Sequence, residues 1–164
     1  MGEAARIQEQ LRRASEGGAW HGPALLELLK DVGPGEAAAR PLPEAHTIGE
    51  LVRHVAAWET IVSRRVEGEP VADVPDAEDW PPYEGGTGAW EEAREEARRS
   101  NRRLREAVGR LSDERLSDTV PGASYSVYEM VHGAVQHTLY HAGQVALLRK
   151  AAASREPNAA TTSP

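Results

Sequence analysis

Ser126-Val127-Tyr128-Glu129-Met130-Val131-His132-Gly133-Ala134-Val135-Gln136-His137-Thr138-Leu139-Tyr140-His141-Ala142-Gly143-Gln144-Val145 is the stretch whose reading decides the fold of this 164-residue chain. It opens on a capping box, in which a Ser hydroxyl serves a free backbone N–H of the first helical turn and a Glu three residues on reaches back to the Ser backbone. Behind that cap, Val127, Val131, Ala134, Thr138, Ala142 and Val145 recur at helical spacing and predict a helix to about Ala152. On its wheel His141 lies within this apolar face and His137 at its border, whereas His132 points to the opposite side. Residues i and i+4 stack on one helix face, so His137 and His141 can offer ring nitrogens to one ion without distorting the backbone. Gly133, Ala134, Ala142 and Gly143 are small enough to let a neighbouring helix come close.

A second capping box, Thr47-Ile48-Gly49-Glu50, predicts another helix, running to about Glu67 before Gly68 stops it. Its apolar positions Ile48, Leu51, Val52, Val55, Trp58, Ile61 and Val62 recur at three and four, and His54 falls among Leu51, Trp58 and Ile61, facing inward. Residues 3–16 read as a helix ending at Gly17-Gly18; Pro23 restarts it and Ala24–Leu29 carry it towards Gly33-Pro34-Gly35, so that the two pieces form one broken helical arm. Residues 36–45 read as a loop. Thr87 is the expected cap of a charged helix from Trp90 to about Leu111, with a further short turn at Ser112–Leu116. Between the second and third helices, residues 69–86 form a long surface crossover centred on Trp80-Pro81-Pro82-Tyr83, of a length that commonly serves function or an interface. The expected architecture is all-α: a four-helix bundle over residues 1–153 with a long crossover between helices 2 and 3, followed by a disordered tail at 154–164.

Composition narrows the function. One domain accommodates the length, helix formers dominate, and Phe is absent. A net charge of −7 argues against a nucleic-acid partner, and the Arg98, Arg99, Arg102, Arg103 and Arg105 cluster is interleaved with Glu95, Glu96 and Glu106 as on a solvated helix face. There is no cysteine, hence neither disulfides nor thiolate metal sites, and any thiol chemistry must come from a co-substrate. The first residues contain no apolar leader core and no stretch approaches a membrane span, so no membrane partner and a cytoplasmic location are expected.

Buried imidazoles need hydrogen-bond partners or a metal. Three neutral rings, His54, His137 and His141, suit one divalent ion such as Zn²⁺, Ni²⁺, Fe²⁺ or Mn²⁺ and leave a position open for water or a small-molecule substrate. The alternative is a set of core histidines bonded to neighbours such as Gln144 or Glu50. His21, Glu50, Trp58 and Gln144 are the candidate pocket residues, with His21 and Glu50 as candidate general bases, although His21 beside Trp20 equally suits a packing or capping role. His46, preceding the Thr47 cap, is expected to be exposed.

Three blocks, Ala19-Trp20-His21-Gly22-Pro23-Ala24-Leu25, Thr47-Ile48-Gly49-Glu50-Leu51-Val52-Arg53-His54-Val55-Ala56-Ala57-Trp58-Glu59 and His137-Thr138-Leu139-Tyr140-His141-Ala142-Gly143-Gln144-Val145, resemble the DinB-like, YfiT-like metal-dependent proteins of bacteria. The last block is the most specific, and the resemblance spans nearly the whole globular chain. It implies a four-helix bundle, a homodimer, and a divalent metal held by one histidine of the second helix and two of the last, here His54, His137 and His141. It further implies, for some members, transfer of a low-molecular-weight thiol such as bacillithiol or mycothiol to an electrophile in stress or detoxification, or a thiol-dependent isomerisation. A metal- or small-molecule-binding dimer without turnover is the competing expectation.

Overall fold

A computed structural model describes residues 2–154; the tail expected at 154–164 lies, apart from Ser154, outside the described residues. Helix α1 (Glu3–Glu16) has no cap of its own, and instead the Asp113 carboxylate accepts from the Glu3 and Ala4 N–H groups at 2.8 and 2.9 Å. Its buried face is Ala4, Ile7, Leu11 and Ala14, and it ends at Gly17, whose φ of +141° a side chain would resist.

The broken arm needs correction. Helix α2 (Leu25–Leu28) is a single turn, entered after Pro23 with the Glu27 carboxylate bound back to the Ala24 N–H at 2.8 Å. Bonds of the i→i+3 kind from Lys30 to Glu27 and from Val32 to Leu29 close it off. Pro34 then opens a separate turn, α3 (Pro34–Ala38), within what reads as a loop, because a proline at the first helical position sacrifices no hydrogen bond.

Helix α4 (Ile48–Val66) carries both halves of its capping box: Thr47 Oγ1 accepts from Glu50 N at 3.1 Å, and Glu50 Oε2 accepts from Thr47 N at 2.7 Å. The crossover contains one turn of its own, α5 (Asp76–Asp79), started by Pro75. Helix α6 (Gly86–Gly109) begins without Thr87 as its cap, since Gly85 and Gly86, at φ of +76° and +84°, turn the chain directly into it. A 3₁₀ turn (Asp113–Ser117) follows, and α7 (Val127–Ala153) opens on the expected box, with Ser126 Oγ accepting from Glu129 N and Glu129 Oε2 from Ser126 N. Among the described residues there is no strand, only an isolated antiparallel bridge between Thr119 and Ser126.

The four long helices pack as a ring in which α1 and α4 each touch both α6 and α7. This is the four-helix bundle with its long crossover between α4 and α6. Two apolar clusters fill it. One joins Ile7 and Leu11 to Leu104, Val108, Val120 and Val131; the other joins Leu25 and Leu29 to Val52, Val55, Trp90 and Val145. Between them lies a buried polar layer around Glu59, which accepts from Ser100 Oγ at 2.7 Å, Asn101 Nδ2 at 2.8 Å and Thr138 Oγ1 at 3.5 Å. Asn101 reaches on to the Leu11 carbonyl at 3.4 Å, so this layer ties all four helices at one level.

The crossover is held against α4 rather than lying free. Arg53 donates to the Pro82 carbonyl at 2.5 Å, and the Tyr83 ring lies so close to Gly49 that a Cβ there would overlap its ring atoms. Gly49→Ala is therefore expected to displace Tyr83 and lower stability by about 1–3 kcal/mol, the usual cost of overpacking; chemical denaturation compared with Gly35→Ala, where an added Cβ meets nothing, measures it.

Candidate metal centre

α4 and α7 are neighbours in the ring, and the site forms where their inward faces meet the crossover. His54 on α4 and His141 on α7 are each 6% exposed, and His137 is half-buried at the edge of the same face. His137 Nε2 lies 3.0 Å from His54 Nε2 and 3.1 Å from His141 Nε2. One ligand atom from each of the three rings lies within 4.8 Å of the others, an arrangement that could hold a metal ion.

The Nδ1 protons of two of these rings, those of His54 and His141, are directed outward. His54 Nδ1 donates to the Asp79 carbonyl at 2.7 Å, with the Asp79 carboxylate at 3.2 Å, and His141 Nδ1 donates to Gln144 Oε1 at 2.8 Å. In a neutral ring with Nδ1 protonated, Nε2 carries only a lone pair. At the centre the His54 and His141 lone pairs therefore both point at His137 Nε2, which can satisfy at most one of them by donating a proton. Extra protons are disfavoured there: burial lowers the pKa of His54 and of His141, and burial together with its two neighbours pushes His137 down to about 4. A divalent ion fits better, since imidazole nitrogens at about 2.0–2.1 Å from one ion stand roughly 3.0–3.4 Å apart.

The crossover supplies the outer contacts. The Trp80 indole is stacked against His46 and His54 with ring centroids 3.7 and 3.8 Å away, and two parallel rings that close must occupy opposite faces. His46 is thus half-exposed, as expected, but packed. Asp79 Oδ1 also accepts from Trp58 Nε1 at 2.6 Å, which fixes the indole beside His54 and His137. Outer partners of a metal-ligating histidine typically matter by about 10–100-fold in affinity; because the Asp79 carbonyl would survive substitution, Asp79→Ala is expected to weaken metal binding by about 10-fold, the lower end, as read by competition with a chromophoric chelator.

A cavity of about 720 Å³ opens beside the three rings, walled by Trp58, Val62, Met130 and Ala134, with Arg65 also on its lining. Tyr140, largely exposed, stands edge-on to His141 and also borders it. The cavity has the size and apolar character of a small-molecule site.

Two candidate pocket residues lie elsewhere. His21 is exposed and lines a separate groove between α3 and the outer face of α7, because the chain leaves α2 and α3 on that side. Glu50 is committed to the Thr47 cap and to Arg40 Nη2 at 2.7 Å, an arrangement that lowers its pKa and suits a structural anion rather than a base. Trp58 lines the cavity, and Gln144 reaches it only through His141.

A family model described as the DinB superfamily matches residues 18–145, which contain all three histidines, both capping boxes and the crossover. The chain belongs to the DinB superfamily. Comparison with curated proteins and with solved structures returned no match. In this DinB-superfamily chain the structure also brings to the site residues absent from the candidate set: Asp79 and Trp80 from the crossover, and Glu59 and Arg65 on the cavity lining. The aromatic pair in Trp80-Pro81-Pro82-Tyr83, in a chain whose aromatic content is 5%, is the one signal that could have drawn the crossover to the site. Among the described residues no helix is long and apolar enough to cross a membrane.

Proposed function

We propose that this protein is a divalent-metal-dependent enzyme that transfers a low-molecular-weight thiol of the bacillithiol or mycothiol type to a small electrophile. The observation that carries this reading is the convergence of three Nε2 atoms, with the His54 and His141 rings locked from behind, at the wall of a cavity with room for a substrate. His54, His137 and His141 would hold the ion. A bound divalent ion supplies Lewis acidity, which lowers the pKa of a thiol or water brought to it. Because the chain has no cysteine, the sulfur belongs to the co-substrate. In the transfer, that sulfur forms the new bond to carbon, the leaving group departs with the bonding pair, and the thiol proton passes to solvent. Trp58 and Met130 provide an apolar wall against which the electrophile is oriented, and the crossover, clamped by Trp80, keeps water from the back of His54.

The test is elemental analysis of purified protein followed by a thiol-conjugation assay against a panel of electrophiles, with His141→Ala as control. Turnover that requires the ion and disappears in the variant supports the reading; turnover unaffected by chelation contradicts it.

A further inference from the structure

Three carboxylates line the cavity, and each is occupied. Glu59 accepts from Ser100, Asn101 and Thr138; Asp79 accepts from Trp58 and faces His54; Glu129 accepts from the Ser126 backbone and hydroxyl. The one cationic side chain on the lining, Arg65, is only 8% exposed and yet has no carboxylate within ion-pair range among the described residues. Among the described residues its sole side-chain hydrogen bond is a long one, from Nη2 to the Ala72 carbonyl at 3.4 Å. Its sequence neighbour Arg64, by contrast, pairs with both Glu69 and Glu78.

A guanidinium does not escape burial by losing its proton, so it stays charged and keeps five donors to satisfy. The Trp58 ring, 5.7 Å from Arg65 Cζ, offsets part of this through its π face, and the C-terminal end of α4 favours a cation, but neither takes up the N–H donors. Arg65 follows Trp58 by two helical turns, and Trp58 follows His54 by one, so the order along this wall is histidine centre, indole, guanidinium. The arrangement suits a molecule with a reactive end at the histidines, an apolar body along Trp58 and an anionic end at Arg65.

We propose that Arg65 anchors a carboxylate, and that the small molecule handled at the histidine centre is therefore a carboxylic acid with an apolar body. The inference rests on the proposed role of that centre, but the anchor can be tested without it. Bidentate pairing to a planar carboxylate is what a partly buried guanidinium is shaped for.

The full chain loaded with Co²⁺ is titrated with ω-mercaptocarboxylates of graded length and with the matching ω-mercaptoalcohols, each followed through the cobalt absorption. The best-fitting acid is expected to bind about 10–100-fold tighter than its alcohol, a margin that disappears in Arg65→Gln and shrinks in Arg65→Lys, which keeps the charge but not the fork. A parallel titration of metal-free protein with phenylalkanoates, read by tryptophan fluorescence, shows Arg65-dependent binding even if the centre proves to take no metal, so failure of the two readings can be told apart. If a phenylalkanoate and a neutral thiol occupy the cobalt protein together, the carboxylate belongs to the electrophile; if they exclude one another and only the mercaptocarboxylate gains, it belongs to the thiol. Equal affinity for acid and alcohol in the native chain, or a preference that persists in Arg65→Gln, overturns the proposal. Should Arg65→Gln fail to fold, the native comparison and Arg65→Lys decide it.

Discussion

His137→Ala is expected to lower the affinity for a divalent ion by more than about 100-fold, beyond what loss of an outer-shell partner costs. His137 is the middle ring of the three, its Nε2 contacting both of the others, so its removal leaves two nitrogens and an opening to solvent where the ion would sit. Thr138 and its bond to the Ala134 carbonyl are untouched, so α7 itself should persist. The same binding should depend on pH in a particular way. Metal competes with protons at each ring, and burial lowers the pKa of all three below the ordinary 6.5, His137 to about 4. Affinity is therefore expected to be level above about pH 6.5 and to fall only as pH drops from there towards 4, rather than being half lost at 6.5 as for free imidazoles. Isothermal titration across that range, in native protein and His137→Ala, measures both effects.

The second large effect concerns Glu59. Its side chain is buried, and burial pushes its pKa from 4.5 up to about 7 against the lowering effect of its three hydrogen bonds. A group that holds its proton more tightly in the folded chain stabilises the fold fully below its unfolded pKa and loses that contribution as pH rises through the folded value. Between about pH 4.5 and 7 native stability should thus carry a declining contribution on the order of 3 kcal/mol. The histidines act in the opposite sense in metal-free protein. Their lowered values mean that stability is retained above 6.5 and lost as pH falls towards 4. Glu59→Gln separates the two: in urea denaturation of metal-free protein at about pH 5 and about pH 8, the variant should lack the decline while keeping the histidine rise. Glu59→Ala should be destabilised at both pH values, because it removes the carboxylate that accepts from Ser100 and Asn101 and opens a cavity.

Helices α4 and α7 were legible because their beginnings are local chemistry. A Ser or Thr with Glu three residues on satisfies backbone groups without help from the rest of the chain, and the apolar stripes behind Thr47 and Ser126 have the helical period. Placement of His54, His137 and His141 on inward faces follows from that same geometry. The rest was decided by tertiary contacts. Thr87 lost its capping role to Gly85 and Gly86, whose left-handed φ values cannot be read from a helical period. Asp79 and Trp80 belong to a segment with no periodicity; Trp80 is where it is because two imidazoles sandwich it, and that requires the α4 site to exist first. Glu59 and Arg65 read as ordinary charged residues on an amphipathic helix; the approach of α6 and α7 draws Glu59 into a buried network, and Arg65 is buried with no carboxylate within ion-pair range among the described residues.

The three imidazoles are expected to act as a single metal site. Equilibrium dialysis of the full chain against a divalent ion, followed by elemental analysis, should find one ion per chain in native protein and none above background when His54, His137 and His141 are all replaced by Ala, with both proteins shown helical by circular dichroism. Equal metal content in the two would contradict the account.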